Sequence, residues 1–172
     1  MSIEQMSTSI MLLVLLGIAV VSDLRFHRIP NLLIVVGLAL GLMGQAYASG
    51  VDGLGNAAMA TLIGFAVLLP MYALGGMAAG DVKLMAMVGS FLTPFSALWA
   101  VFFSLMAGAL CGVLIVLFRG QLKQTLARYW LIASARAYLA PAANEVAGKP
   151  FPYSVAILLG TLASGYWLYI GR

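Results

Sequence analysis

Charge is what this sequence has least of. Of 172 residues, 9 are Lys or Arg and 5 are Asp or Glu, 8% in all, while 63% are hydrophobic. A soluble domain carries about a quarter charged residues, so this chain cannot give itself a surface compatible with water, and a soluble single-core enzyme is excluded. Disordered chains combine low hydrophobicity with high charge, the opposite balance. A lone cysteine, Cys111, rules out an intramolecular disulfide framework and any Cys-rich zinc site, and reads as packing. The one histidine, His27, stands in a basic loop and reads as a solvated cation; no acidic orienter lies at motif spacing for nucleophilic catalysis, and no metal-ligand cluster is present. Neither a metal nor any other cofactor is expected. With a mean hydropathy of +1.07, the chain reads as an integral membrane protein.

What the sequence does have is long apolar runs. A crossing helix needs about 20 mostly apolar residues. Six stretches qualify or nearly do: roughly Met6 to Ser22, Pro30 to Ala48, Leu54 to Leu74, Val82 to Leu92, Phe95 to Phe118 and Phe151 to Ile170. They are apolar all round, without the alternation of a membrane barrel. The expected fold is therefore all-α, a single polytopic domain over residues 1–172 with six transmembrane helices. Its 19 glycines suit close helix approach in lipid.

The fourth stretch is short, and charge placement arbitrates, because Lys and Arg accumulate on the cytoplasmic side. With six crossings, Arg25, His27, Arg28, Lys83, Arg119, Lys123, Arg128, Arg136 and Lys149 share one side, leaving Glu4, Asp52 and Arg172 opposite. A re-entrant fourth segment would put the basic stretch from Arg119 to Lys149 outside. Both termini are thus expected outside the cytoplasm. The first stretch is not expected to be a signal peptide: its leading region holds Glu4 and no Lys or Arg, and no small-residue cleavage site precedes Asp23. Between the fifth and sixth helices, residues 119–150 place Leu122, Leu126, Tyr129, Trp130 and Ala133 at helical spacing among Lys123, Arg128 and Arg136. That pattern predicts a cytoplasmic basic amphipathic helix in the headgroup layer. The net charge of +4 therefore means orientation and contact with anionic lipid headgroups, not nucleic acid.

Two carboxylates stand at the edge of hydrocarbon, where an acid is costly unless paired, hydrated or functional. Asp23 ends the first stretch and Asp81 opens the fourth, on the same cytoplasmic face. Two carboxyls sharing a water do not both ionise comfortably. The charged one can take a proton from water attacking a peptide carbonyl, and the protonated one can hydrogen-bond the carbonyl oxygen and assist the leaving nitrogen. Gly75, Gly76 and Gly80 let the backbone before Asp81 turn and admit an extended substrate. Lys83 stands two residues on, ready to hold charge beside Asp81. Arg25 and Arg28 suit lipid phosphate or an acidic substrate residue, and Pro30 suits the first turn of the second helix. The plainer alternatives are an interfacial ion pair of Asp23 with Arg25 and Arg28, and a helix cap at Asp81. Met77, Met85 and Met87 read as flexible core.

The element Asp23-Leu24-Arg25-Phe26-His27-Arg28-Ile29-Pro30-Asn31 resembles the D-x-R-x-x-x-I-P-N element of type IV prepilin peptidases. Gly75-Gly76-Met77-Ala78-Ala79-Gly80-Asp81-Val82-Lys83-Leu84 is similar to their GG-x-G-x-GD-x-K-L element, and Phe151-Pro152-Tyr153-Ser154-Val155-Ala156 to their P-[YF]-x-x-A element. The resemblance implies an intramembrane aspartic peptidase of the inner membrane that cuts the leader from prepilin or pseudopilin precursors at the cytoplasmic face, with Asp23 and Asp81 catalytic. Gly76, Gly80, Lys83, Arg25, Arg28, Pro30 and Asn31 are its supporting motif residues. Larger members carry paired CxxC motifs and methylate the new amino terminus. This chain lacks those motifs and looks like the short form associated with Tad or Flp pili. It departs from the pattern at Ala78, where the family usually has Gly; the turn is expected to survive unless that position needs positive φ. Two rivals are a small proton- or ion-coupled transporter, which predicts acids near mid-span and inverted repeats, and a non-catalytic pilus-assembly subunit, which would tolerate Asp→Asn at either position.

Overall fold

In a computed structural model of the chain, the described residues are 3–120 and 152–170 together with Lys123, Ala127, Trp130 and Ser134. Among them the elements are helical, without a strand: α1 (Ile3–Phe26), α2 (Asn31–Ala73), α3 (Ala79–Ser90), α4 (Pro94–Phe118) and α5 (Tyr153–Ile170). All but α3 are long and apolar enough to cross a membrane. Their outward faces carry large apolar side chains, such as Val14 and Ile18 on α1, Leu62 on α2 and Leu162 on α5. Contiguous apolar surface of this kind is foreign to a soluble monomer and suits lipid.

Met1–Ala107 and Pro152–Arg172 form one compact unit, and Gly108–Phe151 form a second. In the second, α4 ends at Phe118, and Gly120 beyond it takes φ +65 and donates its N–H to the Leu117 carbonyl at 3.0 Å. The amphipathic helix expected over residues 119–150 lies outside the described residues, apart from Arg119, Gly120, Lys123, Ala127, Trp130 and Ser134.

The first unit is organised around α3. The two stretches that the sequence predicts, Pro30 to Ala48 and Leu54 to Leu74, are the two helical arms of α2, which meet at a break without a loop between them. The bend falls at Ser49 (φ −139°, ψ 16°) and Gly50 (φ 61°, ψ −142°). Only glycine adopts the second pair of angles without strain. A side chain on Gly53 would collide with the carbonyl of Gln45. In a continuous helix those residues stand about 12 Å apart along the axis, so the chain doubles back. The two arms then clasp α3 from opposite directions. Gly37 meets Met87 and Gly41 meets Ser90, so residues 31–48 run with α3. Gly89 meets Ala60 and Gly64 meets Met85, so residues 51–73 run against it.

Small residues make this clasp possible. The buried positions of α2 include Gly37, Gly41, Gly53, Ala57, Ala60 and Gly64, spaced three or four apart within each arm. Such stripes let backbones approach closely in lipid. On α3 every residue from Leu84 to Ser90 is buried, as are Asp81 and Val82. Twelve residues rise about 18 Å, short of the ~30 Å hydrocarbon core. A helix surrounded by protein does not need to match lipid thickness, which accounts for the short fourth stretch. Its last turn is closed by Gln45, whose Nε2 donates to the Phe91 carbonyl at 3.1 Å. Elsewhere Gly160 of α5 sits against the Ser104 backbone of α4, and Trp99 of α4 lies 5.9 Å, ring centre to ring centre, from Trp167 of α5.

Candidate active site

The buried stripe of α1 runs Leu12, Leu16, Ala19, Asp23. Steps of three and four keep these on one helix face. The helix continues past the expected end at Ser22 as far as Phe26, so Asp23 belongs to its last turn and points inward like the leucines before it. The same period turns Ser22 and Arg25 the other way, onto a groove along the outer face of α1 with Val14, Gly17, Ile18 and Val21. Arg25 therefore does not pair with Asp23.

His27 ends α1. It takes φ +50 and donates its N–H to the Asp23 carbonyl at 2.8 Å. A residue in the left-handed region just past a helix is a common stop, and histidine tolerates it better than most. The Ser22 hydroxyl donates to the Arg28 carbonyl at 2.9 Å, pinning the returning chain. Pro30, at φ −61° and ψ 128°, stands just ahead of the first residue of α2. This tight reversal brings Arg28, Ile29 and Asn31 back over Asp23.

The other wall comes from the approach to α3. After α2 the chain turns through Gly75 at φ +73, and the Gly76 N–H returns to the Met71 carbonyl. Ala78 is extended, at φ −79° and ψ 150°, so the alanine in the usual glycine place is unstrained. The helix starts at Ala79, ahead of the expected Val82, and Asp81 stands in its first turn, with its N–H bonded to the Ala78 carbonyl at 3.1 Å. Gly80 lies beside Ile29; a Cβ there would sit 3.6 Å from that side chain, an ordinary contact.

The two walls enclose a cleft of about 270 Å³, room for several waters at ~30 Å³ each. The reversal after α1 contributes Asp23, His27, Arg28, Ile29 and Asn31; α3 and its approach contribute Ala78, Gly80, Asp81 and Lys83. Asp23 is 9% exposed and Asp81 4%, and the charge of one acts on the other. Among the described residues no cation is bonded to either. Lys83 gives its ammonium to Asn31 Oδ1 at 3.1 Å instead. Two buried carboxylates without a cationic partner are costly as charges. Two carboxyls facing a cleft with room for water can activate it at one carboxyl and hydrogen-bond an oxygen at the other.

The structure thus gathers Asp23, Asp81, Gly80, Lys83, Arg28 and Asn31 at one site, and leaves Arg25, Pro30 and Gly76 out of its lining. It adds two residues that were not expected there. His27 lines the cleft, and Ser154 Oγ donates to Asp23 Oδ2 at 2.6 Å across 131 residues of chain. The spacing of Ser154 with Ile157, Thr161 and Ser164 marks a buried helix face, but no local pattern announces its partner.

A bundle of apolar helices with two buried acids at one cleft is a membrane protein with a paired-carboxylate site. The family model of the type IV leader peptidase family matches residues 10–118, more than half of the chain and both acids. The chain belongs to that family, and with it to the aspartic peptidases. No curated protein and no solved structure matches it.

Proposed function

We propose that this chain is a membrane aspartic endopeptidase that removes the leader from prepilin or pseudopilin precursors, with Asp23 and Asp81 as its catalytic pair. The observation that carries the reading is that these two acids, 58 positions apart in the sequence by their numbers, line one cleft without a cation on either. The family supplies the reaction class. The three motif elements supply the substrate class, and the missing CxxC motifs favour the short Tad or Flp form without methylation.

In this mechanism the ionised carboxylate takes a proton from a water as its oxygen bonds to the scissile carbonyl carbon. The protonated carboxyl gives its proton to the carbonyl oxygen, forming a gem-diol. Collapse then breaks the carbon–nitrogen bond while the first carboxyl passes its new proton to the leaving nitrogen. The second carboxyl recovers a proton from the diol, so one water is consumed and the pair is restored.

Six crossings follow if each arm of α2 is one crossing and α3 is a short, protein-enclosed one. On that reading the cleft lies at the cytoplasmic face of the inner membrane with both termini opposite, and the distribution of the basic side chains supports it. Anionic headgroups are the natural company of the cations at that face. A precursor would offer its leader at the cleft and its hydrophobic helix to the bilayer alongside.

The test is co-expression of candidate prepilins with wild type, Asp23→Asn or Asp81→Asn, following leader removal on a gel. Cleavage by wild type and its loss in each variant, at equal membrane abundance, is the expected result. Persistent processing in either variant rejects the paired-acid mechanism.

A further inference from the structure

Buried hydroxyls in this bundle mostly turn back on their own helix. Ser90 donates to the Met87 carbonyl, Ser104 to Ala100, Thr161 to Ile157 and Ser164 to Thr161. Such bonds satisfy a polar group in an apolar interior and do little else. Ser154 is different. It is fully buried, yet its hydroxyl leaves its own helix and reaches Asp23 on α1. As the second residue of α5, it has no helical turn before it to supply a carbonyl. At 2.6 Å the contact has the length of a hydroxyl donating to a charged oxygen.

We propose that Ser154 is a positioning residue that holds the charge of the pair on Asp23, so that Asp23 takes the proton from the attacking water and Asp81 carries the proton given to the peptide oxygen. The assignment rests on the peptidase reading above and deepens it. An ionised carboxylate only accepts hydrogen bonds, and Asp23 accepts one from a side chain locked in a packed interface. Among the described residues no side chain donates to Asp81, which is the more buried of the two and has the Ala78 backbone N–H, not a side chain, beside its carboxyl. Asp81 does gain from the first turn of α3, whose dipole favours an anion, but that is a weaker influence than a direct charge-assisted bond. Lys83, the cation nearest to it in sequence, is engaged with Asn31. The bond also restrains the Asp23 carboxyl plane, because Oδ2 is held.

Two measurements on the full-length protein test this. In a cleavage assay with a purified prepilin, Ser154→Ala lowers kcat about 10- to 100-fold, the range of a lost hydrogen bond to a charged group. KM stays as in wild type, and Ser154→Thr, which keeps the hydroxyl, recovers most of the rate. A fall in KM-derived affinity with kcat intact, or a Thr variant as slow as Ala at equal thermal stability, overturns the proposal. The second measurement needs no substrate. Dicyclohexylcarbodiimide modifies protonated carboxyls in apolar surroundings, and mass spectrometry locates the adduct. Wild type is expected to label at Asp81 and spare Asp23, and Ser154→Ala to label at both. Preferential labelling of Asp23 in wild type overturns the charge assignment even if the Ala variant fails to fold. A wild type that labels at Asp81 but cuts no leader removes the peptidase reading instead.

Discussion

From Met85 to Ser90, α3 packs closely against glycines and alanines of α2; from Ala78 to Lys83, its start and approach border a cleft. The two stretches are a turn apart and obey different rules. In the first, Gly64 and Gly89 bring the second arm of α2 so near that a Cβ on either would press on a main-chain carbonyl, that of Met85 at 2.6 Å in the first case and that of Ala60 in the second. In the second, the contacts are looser and polar: a carboxylate pair, an ammonium bonded to an amide, a glycine with room beside it. Shape holds α3 in place, and charge is confined to the end that borders the cleft. A bundle so organised can carry two unpaired acids because its stability comes from elsewhere.

The largest test of that division is at the acids. Asp23→Asn and Asp81→Asn each remove an acid while keeping size, and should slow leader removal by about 10²–10⁴-fold, the usual worth of a positioned acid or base. Thermal melting in detergent, followed by tryptophan fluorescence, should stay near wild type. A variant that melts far earlier would make the cleft part of the scaffold and end the contrast.

Next come the glycines. Gly64→Ala and Gly89→Ala have to separate two backbones, and overpacking of this kind costs about 1–3 kcal/mol, read as earlier unfolding in a titration with sodium dodecyl sulfate. Gly44→Ala and Gly55→Ala, which meet nothing within 4 Å, serve as the matched pair. They should be neutral or stabilised by roughly 0.5–1 kcal/mol, the gain of Ala over Gly inside a helix. Equal losses at all four positions would mean that the clasp around α3 is not the source of stability.

How much of this the sequence discloses follows the same line. Apolar runs and small residues are local patterns, so the helices and their close packing can be read directly. The inward direction of Asp23 is legible too, since it continues the step from Leu12 through Leu16 and Ala19. The bend in α2 is not: Ser49-Gly50 looks like the start of a loop, and only the angles of Gly50 show that two arms join without one. The placement of Arg25 is a lesson in period. It stands two residues from Asp23, close in the sequence, yet two residues along a helix turn a side chain nearly to the opposite face. Ser154 could not be tied to Asp23 at all, because a bond spanning 131 residues leaves no local trace.

A smaller effect is expected where the two stretches meet the rest of the bundle. Gln45→Leu removes the amide that closes the last turn of α3 at Phe91. One part-buried carbonyl would lose its partner, at about 1 kcal/mol. Since that end lies away from the cleft, the same variant should cut leaders at the wild-type rate. A loss of cleavage without a loss of stability would show that the position of α3 along its own axis controls the acids.

The smallest effect belongs to Ala78→Gly, which restores the residue usual in the motif. Ala78 sits at φ −79° and ψ 150°, ordinary extended backbone open to any residue. Positive φ falls instead on Gly75, three residues earlier. Alanine therefore strains nothing in the turn, and glycine would only add freedom to the unfolded chain, a loss of about 0.4–1 kcal/mol. Cleavage should be unchanged and the melting temperature equal or slightly lower. A faster Ala78→Gly enzyme would mean that the approach to Asp81 passes through angles closed to alanine while substrate binds. The cleft would then be a moving part, and the contrast with the rigid clasp of Met85 to Ser90 sharper than the resting geometry makes it.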